Sequence, residues 1–554
     1  MRTRLLAALC LLVPAVATAG GAASANAPGR ALPAIDPRCA GKPAARAARF
    51  SATALPGKSA AERYTAYIHT CALDDVVALT QGLVRFKTVS SESPAAKNPE
   101  VAAMGRYLET WAKQHGFAFR TVGKRDVFEL SWGEGDPLLG LVFHGDVVPA
   151  AAHEWKRSPF KPVVEGGRLY GRGVEDDKGP IASALVALAM AKELGLKPQG
   201  RVLVIIGNGE ESDWNGMKKY ADTEPKPTHV ISVDSGYPVM VAQSGFVAWT
   251  LEAPVGAAAA TPKEGTTARA VDVTAGEFLT QVPGTATLKL TAVKGQTPEA
   301  VLAQVQAAIA AEQPARKDLQ ADVKREGATV VLTTHGNAVH SSVADEGHNA
   351  LWDLSAVASR LSLEDNGIAA MLRVVAKRFD GDHHGDKLGV AYADTLMGPL
   401  LVAPTVLRVK DGAVSLGINM RRPQGRDAPA FNASLDAAAK RVGEDSGGQV
   451  KEAQGRYVGD PHVADTSGPL VQTLMDIFKR TLPSAVPGSI RGGTYARLFP
   501  GAVDFGPAFP NEPYTGHAPD ESIALESLDD STRLLAEAVY TLALTPAPDA
   551  KATP

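Results

Sequence analysis

The residues able to do chemistry in this chain fall in five short segments. His144-Gly145-Asp146 sets an imidazole and a carboxylate two residues apart at the end of an apolar run. The stretch from Leu169 to Pro180 carries Glu175, Asp176 and Asp177 among glycines, just before an Ala- and Leu-rich region. Glu210-Glu211 follows a second apolar run, Asp234 follows a third, and His517 stands in Gly516-His517-Ala518-Pro519-Asp520-Glu521. Imidazole nitrogen and carboxylate oxygen both bind zinc, and a carboxylate beside a ligating histidine can hold its ring and raise its basicity. Each segment also has an ordinary reading. Asp176 or Asp177 can cap the helix that follows, Glu210-Glu211 can form an exposed acidic turn, and Asp234 and His517 can be loop residues. Adjacent side chains of an extended chain point apart, so one of Glu210 and Glu211 can bind metal while the other faces a substrate.

Such segments need a frame that brings them together. Residues 138–144 and 202–207 read as buried strands, with residues 180–196 between them as a helix rich in Ala, Leu and Met. Strand, helix and strand in alternation predict an α/β fold, a mostly parallel sheet flanked by helices. Ligands collect at the carboxyl ends of such strands, where His144 and Glu210-Glu211 lie. Residues 73–86 and 99–115 read as further helices, the second stopping at Gly116. From about Phe246 the pattern changes. Residues 287–293, 321–325, 329–333 and 413–420 read as strands, and 298–313 and 349–363 as helices. Strands adjacent in sequence favour an antiparallel sheet with helices on one face, hence an inserted α+β lid over 246–425. The catalytic domain is then expected from two parts, 72–245 and 426–544, the second with helices near 428–442, 469–480 and 525–544.

The order His-Gly-Asp, Gly-Arg-Gly-x-x-Asp-Asp-Lys-Gly-Pro, Glu-Glu, Asp and a late His resembles one family throughout, from about Cys71 to Leu544. That family is the co-catalytic zinc peptidases and amidohydrolases, which include aminoacylases, glutamate carboxypeptidases, carnosinases and the PepV-type dipeptidases. The resemblance implies two zinc ions per chain, with manganese or cobalt compatible with the same ligand types. It implies that Asp176 bridges both metals, that His144 and Asp234 complete one ligand set, and that Glu211 and His517 complete the other. Asp146 would clamp His144, Glu210 would be the general base, and a water between the metals the nucleophile. Two divalent ions roughly 3.5–4 Å apart need a bridging carboxylate to offset their repulsion.

The resemblance continues into the lid. Gly336-Asn337-Ala338-Val339-His340-Ser341-Ser342, followed by Gly347-His348-Asn349-Ala350, is similar to the segment whose histidine stabilises the tetrahedral oxyanion. His340 is the matching residue; without the family it would be an ordinary surface histidine. Arg421, in Asn419-Met420-Arg421-Arg422-Pro423, resembles the PepV-type arginine that holds the substrate carboxylate. A surface ion pair is its alternative, and Arg422 is a neighbouring competitor. Gly493, in Gly492-Gly493-Thr494-Tyr495, resembles a loop whose backbone approaches substrate. One position departs: Thr280, ahead of Val282-Pro283, stands where the PepV-type enzymes carry Asn. The long lid is similar to the larger dipeptidase form, which implies that His340 serves its own chain and that the protein is a monomer or homodimer.

The implied reaction is hydrolysis of the amide bond of dipeptides or short peptides with a free carboxylate. Deacylation of N-acyl amino acids is the alternative within the family, because both reactions cleave an amide beside a carboxylate. A non-catalytic peptide-binding protein is the reading from another class, and the full ligand set with Glu210 argues against it.

Composition sets the remaining bounds. At 554 residues the chain exceeds what one hydrophobic core supports. Hydrophobic residues at 45%, charged residues at 21% and a net charge of −3 give an ordinary globular balance without the basic footprint of a nucleic-acid binder. Arg2 and Arg4 precede an apolar run over 5–17, and Ala17-Thr18-Ala19 fits a small-residue cleavage site. Residues 1–19 are therefore expected to be a secretory signal peptide, and the protein exported, periplasmic or secreted. No later stretch is long and apolar enough to span a bilayer. Residues 20–71 are expected to form an N-terminal extension and 545–554 a disordered tail. Cys10 leaves with the signal, and Cys39 and Cys71 can pair in an oxidising compartment.

Overall fold

The computed structural model describes residues 36–54, 58–510 and 512–545. The expected signal peptide lies outside the described residues, as does the expected tail over 545–554 except Thr545, which pairs with Lys197. Two nine-stranded sheets organise the chain. At the centre of the first is Pro137–His144, whose Leu139, Leu141, Val142 and Phe143 are all buried, as a strand covered on both faces must be. It pairs in parallel with Arg201–Gly207 on one side and His229–Ser232 on the other. His229–Ser232 in turn pairs in parallel with Val503–Asp504. Antiparallel strands finish the edges, Val127–Trp132 and Ala118–Val122 at one and Met240–Gln243 and His462–Val463 at the other. The fold is thus mixed α/β with a parallel centre.

Helices cover both faces of this sheet. On one, Ala60–Val84, Lys178–Glu193 and Leu525–Ala543 pack on one another. Lys178–Glu193 lies between the sheet and its neighbours, so every residue from Lys178 to Ala191 is buried, and its composition is apolar all round. On the other face, Met217, Tyr220, Tyr495 and Phe499 pack against Val142, Leu203 and Ile205. The first long helix begins at Ala60, where the sequence reading begins it at 73, so the expected extension over 20–71 ends inside a helix. Ser59 and Glu62 form a capping box, and Tyr64, Tyr67, Ile68 and Cys71 lie on its buried face. A disulfide between Cys39 and Cys71 fastens the preceding segment to that helix.

In the second sheet every strand pair is antiparallel. Helices Pro298–Glu312, Ala350–Ser359 and Gly367–Arg378 pack against it and form its core with Trp249, Leu288, Leu332 and Ile418. The lid boundary expected at residue 425 is corrected. Helix Ala428–Asp445 buries Phe431, Leu435, Ala438 and Val442 in the lid core. Lys451–Glu452 and Tyr457–Val458 then pair with the lid strand Gly245–Pro254. The chain rejoins the first sheet only at His462–Val463. An apolar stripe shows that a helix buries one face, but not which core receives it. No helix among the described residues is long and apolar enough to cross a membrane.

Candidate metal centre and active site

Three neighbouring parallel strands explain how distant residues meet. Pro137–His144 ends in His144, Arg201–Gly207 is followed by Glu210 and Glu211, and His229–Ser232 by Asp234. Because these strands are adjacent and point the same way, their carboxyl ends deliver all four side chains to one rim. Gly145 must be small there, since a Cβ would stand 2.5 Å from Met104 Cε and 2.9 Å from Asn208 Oδ1.

Asp176 arrives from the glycine-rich loop and His517 from a loop near the C-terminus. His144 Nε2 lies 2.6 Å from Asp176 Oδ1 and 3.5 Å from Asp234 Oδ1. The other Asp176 oxygen lies 3.1 Å from His517 Nε2, and His517 Nε2 lies 2.8 Å from Glu211 Oε1. One carboxylate therefore touches both imidazoles, one oxygen to each. Ligand atoms fall into three compact groups within 4.8 Å: His144 with Asp177 and Asp234, His144 with Glu210 and Glu211, and Asp176 with Glu211 and His517. His517 adopts a left-handed φ of 67°, an uncommon conformation for a residue with a Cβ.

The charges in this cluster do not balance. Burial raises the Glu210, Glu211 and Asp234 carboxyls above the usual carboxylate range, and neighbouring acids push them further. Burial opposes a charge on His144, yet Asp234 and Asp176 outweigh it and raise that imidazole well above its ordinary value. His517, desolvated in the same way, is pushed up to about 11 by Glu211 and Asp176. Buried acids outnumbering imidazoles are the donor set that a divalent cation satisfies, and mixed nitrogen and oxygen ligands suit zinc. The residues present fit a metal.

Supporting contacts differ in part from those expected. Asp146 is fully buried and its carboxylate accepts the backbone N–H of Glu210 at 3.1 Å and of Glu211 at 3.0 Å. It thus holds the Glu-Glu turn, while His144 Nδ1 lies 2.9 Å from the Asp146 backbone carbonyl and 3.7 Å from its carboxylate. Asp177 occupies the helix N-cap position without a side-chain cap bond, and its carboxylate accepts the His144 backbone N–H at 3.0 Å. Neither aspartate serves as the simple cap considered above.

Other groups escaped the sequence reading. Glu521 is buried against Arg172 at 2.8 Å and accepts the N–H groups of Gly173, Glu175 and Asp176. This carboxylate ties the Asp176 loop to the His517 loop. Both residues stand inside the quoted motifs, but nothing in their spacing marks them as partners. Tyr514 donates its hydroxyl to Asp176 Oδ2 at 2.6 Å. Asp504 accepts from Thr494 Oγ1 at 2.6 Å and Gln243 Nε2 at 2.8 Å, which anchors the loop carrying Gly493. A Cβ on Gly493 would lie 2.8 Å from Arg497 Nη1, so that loop sits close over a guanidinium.

The lid approaches the first domain through the ion pair of Asp345 with Arg491. His340 is open to solvent, yet desolvation by the protein around it, then the charges of Arg421 and His517, bring its pKa down to about 4. Arg421 is only 6% exposed, stacks 5.2 Å from the Phe246 ring and donates to two neutral oxygens, Asn419 Oδ1 and Ser341 Oγ. Arg422, its sequence neighbour, instead pairs with Asp460 at 2.5 Å. Thr280 offers its backbone carbonyl to Ser341 N–H at 2.8 Å, so it lies beside the His340 turn. Arg491 bonds Asp345 of the lid at 2.8 Å.

Comparison with known proteins agrees with this arrangement. A model of peptidase family M20/M25/M40 matches residues 140–541. The putative dipeptidase YtjP of Bacillus subtilis (strain 168) is 32% identical over 479 residues, covering 85% of this chain and 97% of that protein. The Beta-Ala-Xaa dipeptidase of Lactobacillus delbrueckii subsp. lactis is 32% identical over 467 residues, covering 82% of this chain and 92% of that protein. The crystal structure of human carnosine dipeptidase 1 shares the fold, with a TM-score of 0.51 at 15% identity over 87% of this chain and 98% of that one. With most of its length matched by the family model and by these relatives, the chain belongs to peptidase family M20/M25/M40.

Proposed function

We propose that this chain is an exported, dinuclear zinc dipeptidase that cleaves the amide bond of dipeptides and short peptides with a free carboxylate. The observation that carries the reading is Asp176, whose two oxygens reach His144 and His517 separately. His144 and Asp234 would hold one ion, Glu211 and His517 the other, with Asp176 shared. Ions bound there would polarise the scissile carbonyl and lower the pKa of water to about 7.

The chain's own residues supply the rest. A Glu210 carboxylate oxygen takes the proton of the attacking water and passes it to the leaving amide nitrogen. Burial raises the Glu210 carboxyl above the usual carboxylate range, which makes its carboxylate a stronger base for the water proton. The Asp146 carboxylate keeps the Glu210-Glu211 turn in place through its backbone. His340 donates from its ring to the oxygen that becomes negative, and Arg421 binds the terminal carboxylate. Gly493 lets the backbone of its loop approach the peptide. The buried Arg421 cation, which among the described residues donates to neutral oxygens, supports an anionic substrate end.

The long inserted lid supports His340 serving its own chain, so a monomer or homodimer would serve. The Cys39–Cys71 disulfide supports work in an oxidising compartment, in keeping with the leader-like N-terminus. Two relatives named as dipeptidases favour peptides over N-acyl amino acids as substrates. The metal-loaded protein should turn over unblocked dipeptides faster than N-acetyl amino acids. The reverse order would refute the dipeptidase assignment.

A further inference from the structure

The lid turn that presents His340 also carries two adjacent serines with different partners. Ser341 is buried, and its Oγ accepts from Arg421 Nη2 at 2.8 Å. Arg421 Nε donates to Asn419 Oδ1 at 3.0 Å. Two neutral oxygens thus fix the guanidinium plane without cancelling its charge, as an aspartate would. Ser342 Oγ lies 2.7 Å from His340 Nδ1, and the Ser342 backbone N–H donates to the same nitrogen at 3.3 Å. An N–H can only donate, so Nδ1 holds the lone pair and the ring proton sits on Nε2. A neutral ring in this tautomer presents Nε2 as a donor, which an oxyanion requires.

The backbone around the serines leaves little freedom. Ser341 N–H donates to Thr280 O at 2.8 Å, and His340 pairs with Gln281 in a β-bridge. The short helix Ser341–Glu346 begins immediately after His340. Both hydroxyls therefore act from a fixed turn.

We propose that Ser341 and Ser342 are positioning residues that divide the work of the lid. Ser341 aims the Arg421 guanidinium at the peptide carboxylate; the Ser342 backbone N–H sets the His340 tautomer, and the Ser342 hydroxyl fixes the direction of the ring toward the reacting carbonyl. The inference rests on the proposed roles of His340 and Arg421, and adds what sets each of them. It separates two kinetic signatures: loss of the Ser342 bond weakens the transition state, and loss of the Ser341 bond weakens binding of the carboxylate.

The test uses the full metal-reconstituted chain with an unblocked dipeptide and its C-terminal amide, on Ser341→Ala, Ser342→Ala, Ser342→Thr and, for reference, His340→Ala. Ser342→Ala should lower kcat about tenfold, the worth of one hydrogen bond, with KM nearly unchanged, and Ser342→Thr should restore it. Ser341→Ala should raise KM for the free dipeptide about tenfold and leave KM for the amide unchanged. Calorimetry with a non-hydrolysable dipeptide analogue should show the same loss in Kd. Should Ser341→Ala unfold, Ser341→Cys keeps the volume with only a weak acceptor and must show the same KM pattern. Full kcat in Ser342→Ala beside a crippled His340→Ala overturns the serine assignment alone. Full kcat in His340→Ala overturns the underlying reading, and the serine assignment with it. Equal falls in kcat for both serine variants on both substrates, without rescue by threonine, would reduce the turn to a structural element and overturn the division.

Discussion

The two walls of the cleft are built on opposite electrostatic plans. The wall on the parallel sheet crowds Asp176, Glu210, Glu211 and Asp234 around two imidazoles, and burial together with mutual repulsion drives most of those acids toward protonation. The lid wall holds a buried arginine among neutral oxygens and a histidine whose surroundings keep it uncharged. One wall calls for cations and the other for an anion. Neither is electrostatically complete alone, and a peptide lying between metal ions and Arg421 would satisfy both.

Breaking the acidic wall at Glu210, its proposed proton carrier, should have the largest effect. Glu210→Gln should retain metal and lower kcat about 10⁴-fold, read by stopped assays and by metal analysis of the same sample. Undiminished turnover would remove Glu210 from the chemistry. Next comes the scaffold of that wall. Glu521→Ala strands the buried Arg172 and should lower unfolding free energy by about 3 kcal/mol in denaturant titration; a change within about 0.5 kcal/mol would show that the pair does not hold the two loops.

The lid is then tested at its cation. Arg421→Lys replaces a planar fork by a point charge and should raise KM for free dipeptides about thirtyfold, with a much smaller change for dipeptide amides. An equal change for both substrates would argue that Arg421 shapes the lid without meeting the carboxylate. The smallest effect belongs to the bond between the walls. Arg491 and Asp345 are partly solvated, so Arg491→Ala should alter kcat/KM by less than about fivefold, with any loss reduced in high salt. A salt-independent loss of a hundredfold would make that ion pair part of the site.

The two walls also differed in how far the sequence disclosed them. The place of His144, Glu210, Glu211 and Asp234 at strand ends was legible, because each follows an apolar run and parallel neighbours bring such ends together, while their roles came from the resemblance. The lid residues depended on resemblance, since His340 and Arg421 sit in polar stretches with no local signature of chemistry. Arg172 and Glu521 lie 349 residues apart, and such a pairing leaves no periodic trace. Some misses had signals. Ser59 and Glu62 form a capping box that marks the true start of the first long helix, and Ile368, Met371, Leu372 and Val375 have the spacing of an unread helix. The lid boundary failed for another reason: the stripe of Phe431, Leu435, Ala438 and Val442 serves either core equally well on paper.

Acids and imidazoles on one wall are proposed to hold a pair of metal ions essential to peptide cleavage. The direct measurement is a zinc titration of chelator-stripped protein, following bound metal and hydrolysis of an unblocked dipeptide together. No turnover is expected without metal, with about two ions bound per chain at saturation and activity that returns with them. Full hydrolysis by the stripped protein, or saturation without any recovery of activity, would contradict it.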